Sequence, residues 1–391
     1  MIQKTKFLSY CTGKLTEGCK FCVEGRKLVL FITGKCRRGC FYCPLSEKRK
    51  EKDIVWANER KLSNVNAVSE AIEEARLSQA KGAGITGGDP LLILSRTLKF
   101  TKALKKKFGK NFHIHIYLPT LRVSKQKLMS LYTAGIDEVR FHPDFLKGNL
   151  KKEIAKIKLA KDIVAKKKRK WLVGIEIPVI PKTEKKTIAL IDSAKGIIDF
   201  LNLNELEIST TNAFCLYKFG LNFKKNSCVV QGSNELALKI LKYCDKNAKN
   251  LRVHYCTAST KDRFQYCNRL KLRLMKVKKP YDEITQDNDL YRAALYSEII
   301  PGFDYEKRIS EIPRARKIKI LEKMQDTRNI LMKRYDIPSR LIEIDEKKLR
   351  ILTSAEIATK LAKEIKNLGL KPAIIIELPT YDNLQIQLNW L

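Results

Sequence analysis

The chain has 391 residues, 44% of them hydrophobic, with 78 Lys and Arg against 42 Asp and Glu, a formal net charge of +36. That length allows two domains, the regular apolar runs argue against a disordered polyelectrolyte, and no run approaches the length of a membrane-spanning helix. The opening residues MIQKTKFLSYCTGK lack a signal-peptide core, so a cytoplasmic protein without a membrane partner is expected, and its 11 cysteines read as metal ligands or buried thiols before disulfides.

The first feature along the chain is the run CTGKLTEGCKFC. Cys19-x2-Cys22 has the spacing of a metal hairpin, and Cys11 can add a third ligand. His254 or Cys256, in the distant strand-like piece VHYC, can supply a fourth, and zinc or an iron–sulfur cluster fits such a set. The apolar run at residues 27–34 (KLVLFITG) then reads as a strand and leads into GKCRRGCFYCP. Here Cys36, Cys40 and Cys43 are spaced C-x3-C-x2-C. Three thiols on one short loop bind three irons of a [4Fe–4S] cube and leave the fourth iron open to a small molecule, whereas a closed structural site takes four ligands.

From there, short β-rich runs alternate with helical patterns. Strands are predicted at 28–33, 84–86, 113–118, 138–141, 172–179 and 201–208, with helices near 68–80, 97–108, 124–133, 150–165 and 185–197. Six such alternations call for parallel strands joined by crossover helices, as a doubly wound sheet or a partial barrel. Either way, functional groups gather at the C-terminal ends of the strands, and the cysteine loop follows the first of them. The pair Gly87-Gly88, with Asp89 and Pro90, ends the second strand; glycines allow close backbone approach and a carboxylate pairs with an ammonium group. His113 and His115 alternate on the third strand and face one way. Arg140, His142, Glu176 and Glu207 lie on or beside the later strands. Cys215, Cys228, Cys244 and Cys267 show no spacing logic and read as core or surface thiols.

Positive charge is concentrated in two runs. Residues 147–170 carry eleven basic side chains against Glu153 and Asp162, and residues 261–279 carry eight against Asp262. In the first, Leu150, Ile154, Ile157 and Val164 form an apolar stripe at helical spacing, which sets the lysines on the opposite face. A field of this sign gathers polyanions, RNA above all, while adaptation to heat would add Glu along with Lys. After about residue 275 the rhythm changes: 306–334 is helical, and 341–344, 354–368 and 373–378 suggest a small α+β module in which Tyr381 and Trp390 fill a core.

The cysteine loop, with Tyr42 just before its last thiol, resembles the signature of the radical S-adenosylmethionine (radical SAM) superfamily, and Gly87-Gly88-Asp89-Pro90 looks like its GGEP-type motif with Asp for the commoner Glu. The stretch GCKFCVEGRKLVLFITGKCRRGCFYCP, followed by SEKRKEKDIVWANER and VHYC, is similar to archaeal radical SAM proteins of unassigned activity, sometimes labelled pyruvate formate-lyase-activating-enzyme-like. The resemblance covers most of the chain but supplies no substrate.

It implies an α/β fold, a partial (βα)6 TIM-type barrel at 28–275, with a Cys-rich N-terminal metal-binding extension at 1–27 and a C-terminal α+β domain at 276–391. It implies Cys36, Cys40 and Cys43 as ligands of a [4Fe–4S] cluster, and S-adenosylmethionine held by Gly87, Gly88 and Asp89 at its methionine end. Tyr42 would lie near the adenine, with Arg140, His142, Glu176 and Glu207 among the further contacts. The cofactor would be cleaved to a 5′-deoxyadenosyl radical with an electron from a ferredoxin or flavodoxin. Together with the basic surface this predicts modification of RNA, tRNA foremost. The alternatives are a radical SAM enzyme acting on a protein or peptide, and a non-catalytic, metal-stabilised RNA-binding protein.

Overall fold

The computed structural model describes residues 1–167 and 169–391; Lys168, one of the basic residues of the 147–170 run, lies outside them. The chain forms two compact units, Met1–Leu272 and Arg273–Leu391.

The first unit begins with β1 (Ile2–Lys4), β2 (Tyr10–Thr12), α1 (Glu17–Val23) and β3 (Lys27–Phe31), followed by the two-residue strands β4 (Trp56–Ala57) and β5 (Arg60–Lys61). Strands and helices then alternate: α2 (Val68–Leu77), β6 (Gly82–Thr86), α3 (Leu94–Phe108), β7 (His113–Pro119), α4 (Lys125–Ala134), β8 (Glu138–His142), α5 (Leu150–Ala165), β9 (Leu172–Val179), α6 (Glu184–Ala194) and β10 (Phe200–Glu205). After α7 (Ala213–Lys218) and α8 (Ser233–Asn247) come β11 (Arg252–Cys256), the single turn α9 (Ala258–Thr260) and α10 (Cys267–Val277). The sheet order is β1-β2-β11-β10-β9-β8-β7-β6-β3-β4-β5, and every neighbouring pair from β11 to β3 is parallel.

Two features differ from the sequence expectation. The piece VHYC is a further parallel strand, because α8 supplies one more crossover before β11. The N-terminal Cys-rich residues join the barrel sheet: β2 pairs antiparallel with β11, and β1 with β2.

The strands are built on strict alternation. In β7, Ile114, Ile116 and Leu118 are fully buried in the apolar core, as are Val139 and Phe141 of β8 and Leu203 of β10, together with Leu104, Leu128 and Ile157 of the helices. The intervening positions carry His115, Tyr117, Glu138, Arg140, Glu176, Asn202, Asn204 and His254. With a side-chain period of two, these share the opposite, inward face of the sheet. The helix α1 packs against β3, β6 and β7. Its Gly18 is required by close approach, since a Cβ there would lie 2.5 Å from the Arg140 guanidinium and 2.8 Å from both Glu138 and His115. On α5, Ile157 and Val164 are buried while Leu150 and Ile154 pack against the core, so the apolar stripe faces the sheet as its spacing predicts.

The second unit contains β12 (Glu283–Ile284), β13 (Leu290–Tyr296), α11 (Tyr305–Ser310), α12 (Arg314–Arg334), β14 (Ile342–Asp345), β15 (Arg350–Thr353), α13 (Ala355–Lys360), α14 (Ala362–Asn367), β16 (Lys371–Glu377) and β17 (Gln385–Trp390). Its antiparallel sheet runs β14-β15-β13-β16-β17, and Ile320, Met324 and Leu331 of α12 join Leu295 and Ile351 in one core. Pro313 separates α11 from α12, where proline suits a helix start and not a helix interior. Tyr381 and Trp390 do not fill this core: they are 38% and 48% exposed, the latter on the edge strand β17. Among the described residues no helix is long and apolar enough to cross a membrane.

Phe141, fully buried on β8 between Arg140 and His142, ties the polar inward face to the core. Phe141→Ala should cost about 3–5 kcal/mol, read as a lower urea midpoint at unchanged slope.

Candidate functional site: one cavity, two groups of thiols

A cavity of about 510 Å³ opens within the first unit. Cys36, Cys40 and Cys43 line it, as do Tyr42, Gly87, Gly88, Arg140, His142, Glu176 and Glu207, so most of the residues expected at the site are brought together. Cys19, Cys22, His254 and Cys256 line the same cavity.

The cysteine loop leaves the end of β3 and is held at its base by the GGDP turn. Gly88 N donates to Thr33 O at 2.7 Å and Asp89 N to Lys35 O at 2.9 Å. Gly87 sits at φ +139°, and a Cβ there would lie 2.3 Å from Thr33 O; one on Gly88 would lie 2.2 Å from Lys35 O. The close approach these glycines allow is therefore to the backbone leading into the cysteine loop. Asp89 is 2% exposed, does not line the cavity, and accepts from Leu91 N at 2.9 Å as the cap of the following turn. On the other side, Asn212 Nδ2 donates to Tyr42 O at 3.2 Å, and Thr211 Oγ1 to Leu45 O at 2.6 Å. Arg38, within the loop, has a side chain only 7% exposed and lies near Asp144 and Glu153, with Nη2 lacking a hydrogen bond. Three thiols on a loop clamped at both ends, with a buried guanidinium among them, suit an anionic thiolate-bound cluster.

Below the loop lies a buried polar network centred on Arg140. Its Nε donates to Glu138 Oε1 at 2.6 Å, and its Nη1 donates to Glu176 Oε2 at 2.8 Å and Tyr117 O–H at 3.2 Å. Glu176 also accepts from Asn202 at 2.9 Å and Asn204 at 2.8 Å. Burial alone would raise the Glu176 carboxyl, but Arg140 and the two amides outweigh it and hold it below its ordinary value. His142 Nδ1 lies 2.9 Å from Glu176 O and Nε2 lies 2.9 Å from Tyr42 O–H. Nδ1 donates to the carbonyl, and in the neutral ring Nε2 then accepts from Tyr42 O–H. Burial first, and then the charge of Arg38, push its protonation down from 6.5 to about 4. Glu207 is ion-paired with Lys261.

Cys19 approaches Asn202 Nδ2 and Arg140 Nη2, each at 3.5 Å, while Gln265 Nε2 donates to Cys256 Sγ at 3.3 Å. Cys11 stands apart. It opposes His254 across the β2–β11 pair and is buried, but it does not line the cavity; His254, one strand nearer the barrel centre, does. Among the described residues no three Cys, His, Asp or Glu side chains stand at metal-ligating separation, and this holds equally for the cysteine loop and for the second group. His113 does not line the cavity and instead meets Lys27 Nζ at 2.7 Å. Tyr117, Glu138, Asn202, Asn204, Lys261 and Gln265 escaped the motif search. The period-two alternation of HIHIY, EVRFH and FLNLN is the signal that marks most of them.

Fold and site together define an α/β partial-barrel iron–sulfur enzyme. The radical SAM superfamily profile matches residues 30–194. A curated protein of Methanocaldococcus jannaschii, provisionally described as a glycyl-radical enzyme activating enzyme, is 40% identical over 362 residues, covering 90% of this chain and 91% of its own. Among solved structures, methylornithine synthase aligns over 62% of this chain and 72% of its own at 12% identity and a TM-score of 0.39. The radical SAM methyltransferase TsrM from Kitasatospora setae aligns over 54% and 44% at 12% identity and a TM-score of 0.36. The chain belongs to the radical SAM superfamily, whose members use a [4Fe–4S] cluster and S-adenosylmethionine, and it is an enzyme of reductive S-adenosylmethionine cleavage. The RNA substrate and tRNA modification expected from the charge find no support in these relatives. Net charge specifies an anionic partner and nothing finer.

Two outcomes are expected. Gly88→Ala drives a Cβ into Lys35 O and should lower the iron bound on anaerobic reconstitution several-fold with circular dichroism unchanged, whereas Gly196→Ala, in open space, should leave it intact. His142, flanked by Arg38, Tyr42, Asp144 and Glu176, binds its proton less readily folded than unfolded. Stability should therefore fall as pH drops from 6.5 to about 4 and His142 should contribute no further loss below, with a shallower slope in His142→Gln when urea midpoints are followed across that window.

Proposed function

We propose that this enzyme generates a 5′-deoxyadenosyl radical to abstract hydrogen from a protein partner, a glycyl-radical enzyme being the class that its relative's description points to. The observation that carries the reading is that match: 40% identity over nine-tenths of both chains to a protein provisionally described as an activating enzyme.

In this reading Cys36, Cys40 and Cys43 hold a [4Fe–4S] cluster, and Gly87, Gly88 and Asp89 fix the loop that carries it. When bound, cluster and S-adenosylmethionine supply one-electron cleavage to methionine and the radical. Arg140, Glu176 and His142 form a pre-organised wall for the polar groups of the cofactor, with Tyr42 near its adenine and Glu207 held by Lys261. Cys19, Cys22 and Cys256 add the thiols of a second centre, zinc or iron–sulfur. The excess of basic residues suits an acidic electron donor such as a ferredoxin or flavodoxin.

The surroundings of the loop support a macromolecular partner. Phe214, Tyr217, Phe219 and Phe223 are 67%, 73%, 44% and 60% exposed. Phe219 stacks on Phe41 of the cysteine loop with centroids 4.7 Å apart. Residues 208–231 carry Lys218, Lys224 and Lys225 and no carboxylate. Exposed aromatics gathered beside a cavity are a protein-contact composition.

The test is anaerobic: reconstituted enzyme, dithionite and S-adenosylmethionine, with a recombinant glycyl-radical enzyme from the same organism or with bulk tRNA. A glycyl-radical signal in electron paramagnetic resonance, with 5′-deoxyadenosine released in step, is the expected result. Turnover stimulated by tRNA alone, with an altered nucleoside profile, overturns the protein-substrate reading.

A further inference from the structure

We infer that Cys19, Cys22, Cys256 and His254 together bind a thiolate metal centre, a zinc ion or an iron–sulfur cluster, distinct from the one on the Cys36–Cys43 loop. It rests on the second centre named above, replaces Cys11 by His254 among its ligands, and is independent of what the enzyme acts on.

Topology gathers the set. Cys19 and Cys22 are three apart on α1, hence on one face, and His254 and Cys256 are two apart on β11, hence on one side of the sheet. All four line the cavity, although α1 and β11 are more than 200 residues apart in sequence.

Two of the thiols, Cys19 and Cys256, sit among polar side chains. Asn202 and Arg140 point N–H groups at Cys19 from 3.5 Å, and Gln265 points one at Cys256 from 3.3 Å. Nitrogen donors around sulfur are the outer support a metal-bound thiolate requires. Cys244, 1% exposed, lies instead in the apolar core with Leu241 and Ile240.

His254 supplies the second, independent observation. It is 5% exposed, lines the cavity, and its Nε2 has no hydrogen-bond partner. An orphaned imidazole nitrogen in the cavity that the three thiols line would complete a Cys3His set, which serves both zinc and iron–sulfur chemistry. Among the described residues neither group of thiols stands at metal-ligating separation, so separation favours neither over the other.

The experiment subtracts the first centre. The full chain carrying Cys36→Ala, Cys40→Ala and Cys43→Ala is purified anaerobically, offered zinc alone or iron with sulfide, and analysed by elemental analysis and absorption. About one zinc or about four irons per chain should remain. Adding Cys19→Ala and Cys22→Ala should abolish that metal, and adding Cys244→Ala should not. A folded triple variant that takes up neither metal overturns the proposal, and so does metal that persists without Cys19, Cys22 and Cys256. If the triple variant does not fold, Cys19→Ala with Cys22→Ala in the otherwise native chain gives the same answer: one centre lost, the iron of the loop retained. Because metal content is the readout, failure here leaves the substrate question untouched.

Discussion

The structure depends on a buried guanidinium. Arg140, 3% exposed, is held between Glu138 and Glu176, touches Tyr117, and reaches Cys19 on a helix that enters from the other end of the chain. An isolated charge at this depth would be prohibitively costly, and with two carboxylates it becomes a fixed junction between β8, β9 and α1. The inward face of a parallel barrel is ordinarily filled by branched apolar side chains. Here hydrogen-bonded polar groups take their place, which leaves room for a cavity whose walls cannot readily rearrange, since each group's position satisfies another's bonding needs.

This organisation connects the two groups of thiols through one polar network. The cysteine loop is clamped to β3 and β6 by backbone hydrogen bonds and to the residues after β10 by Thr211 and Asn212. Cys19 is reached from the same Arg140 that fixes Glu176, and Glu176 O in turn orients His142 against Tyr42. A chain of direct contacts thus joins α1 to the loop through three side chains.

Much of this was legible in the sequence, and the exceptions have physical causes. Six strand–helix alternations and the cysteine spacing are local patterns, so the barrel and its metal loop could be read directly. The GGDP turn could be located but not interpreted: its glycines answer to Thr33 and Lys35, and its carboxylate caps a turn, relations that exist only once β3 and β6 are paired. Cys11 and His254 both belong to plausible ligand spacings and oppose each other across β2 and β11, on one face of the sheet; only His254, one strand further in, lines the cavity. Asn202 and Asn204 carry no motif at all; their meaning lies in pairing with Glu176 across a strand boundary. In the second unit, Trp390 reads as core by residue type but lies on an edge strand, where one side of the ladder has no neighbour. Charge was the least informative guide, because lysine faces such as that of α5 are solvated whatever the protein acts upon.

The pairing of β2 with β11 also dictates an order of assembly. Thr12 receives its partner only when Leu251 and Val253 exist, 239 and 241 residues later. During synthesis β2 therefore waits for its partner in the barrel while strand after strand is laid down from β3 to β11. Contacts of such long sequence separation form late and slowly. The strand β2, among the first made, is thus among the last to take its place in the sheet.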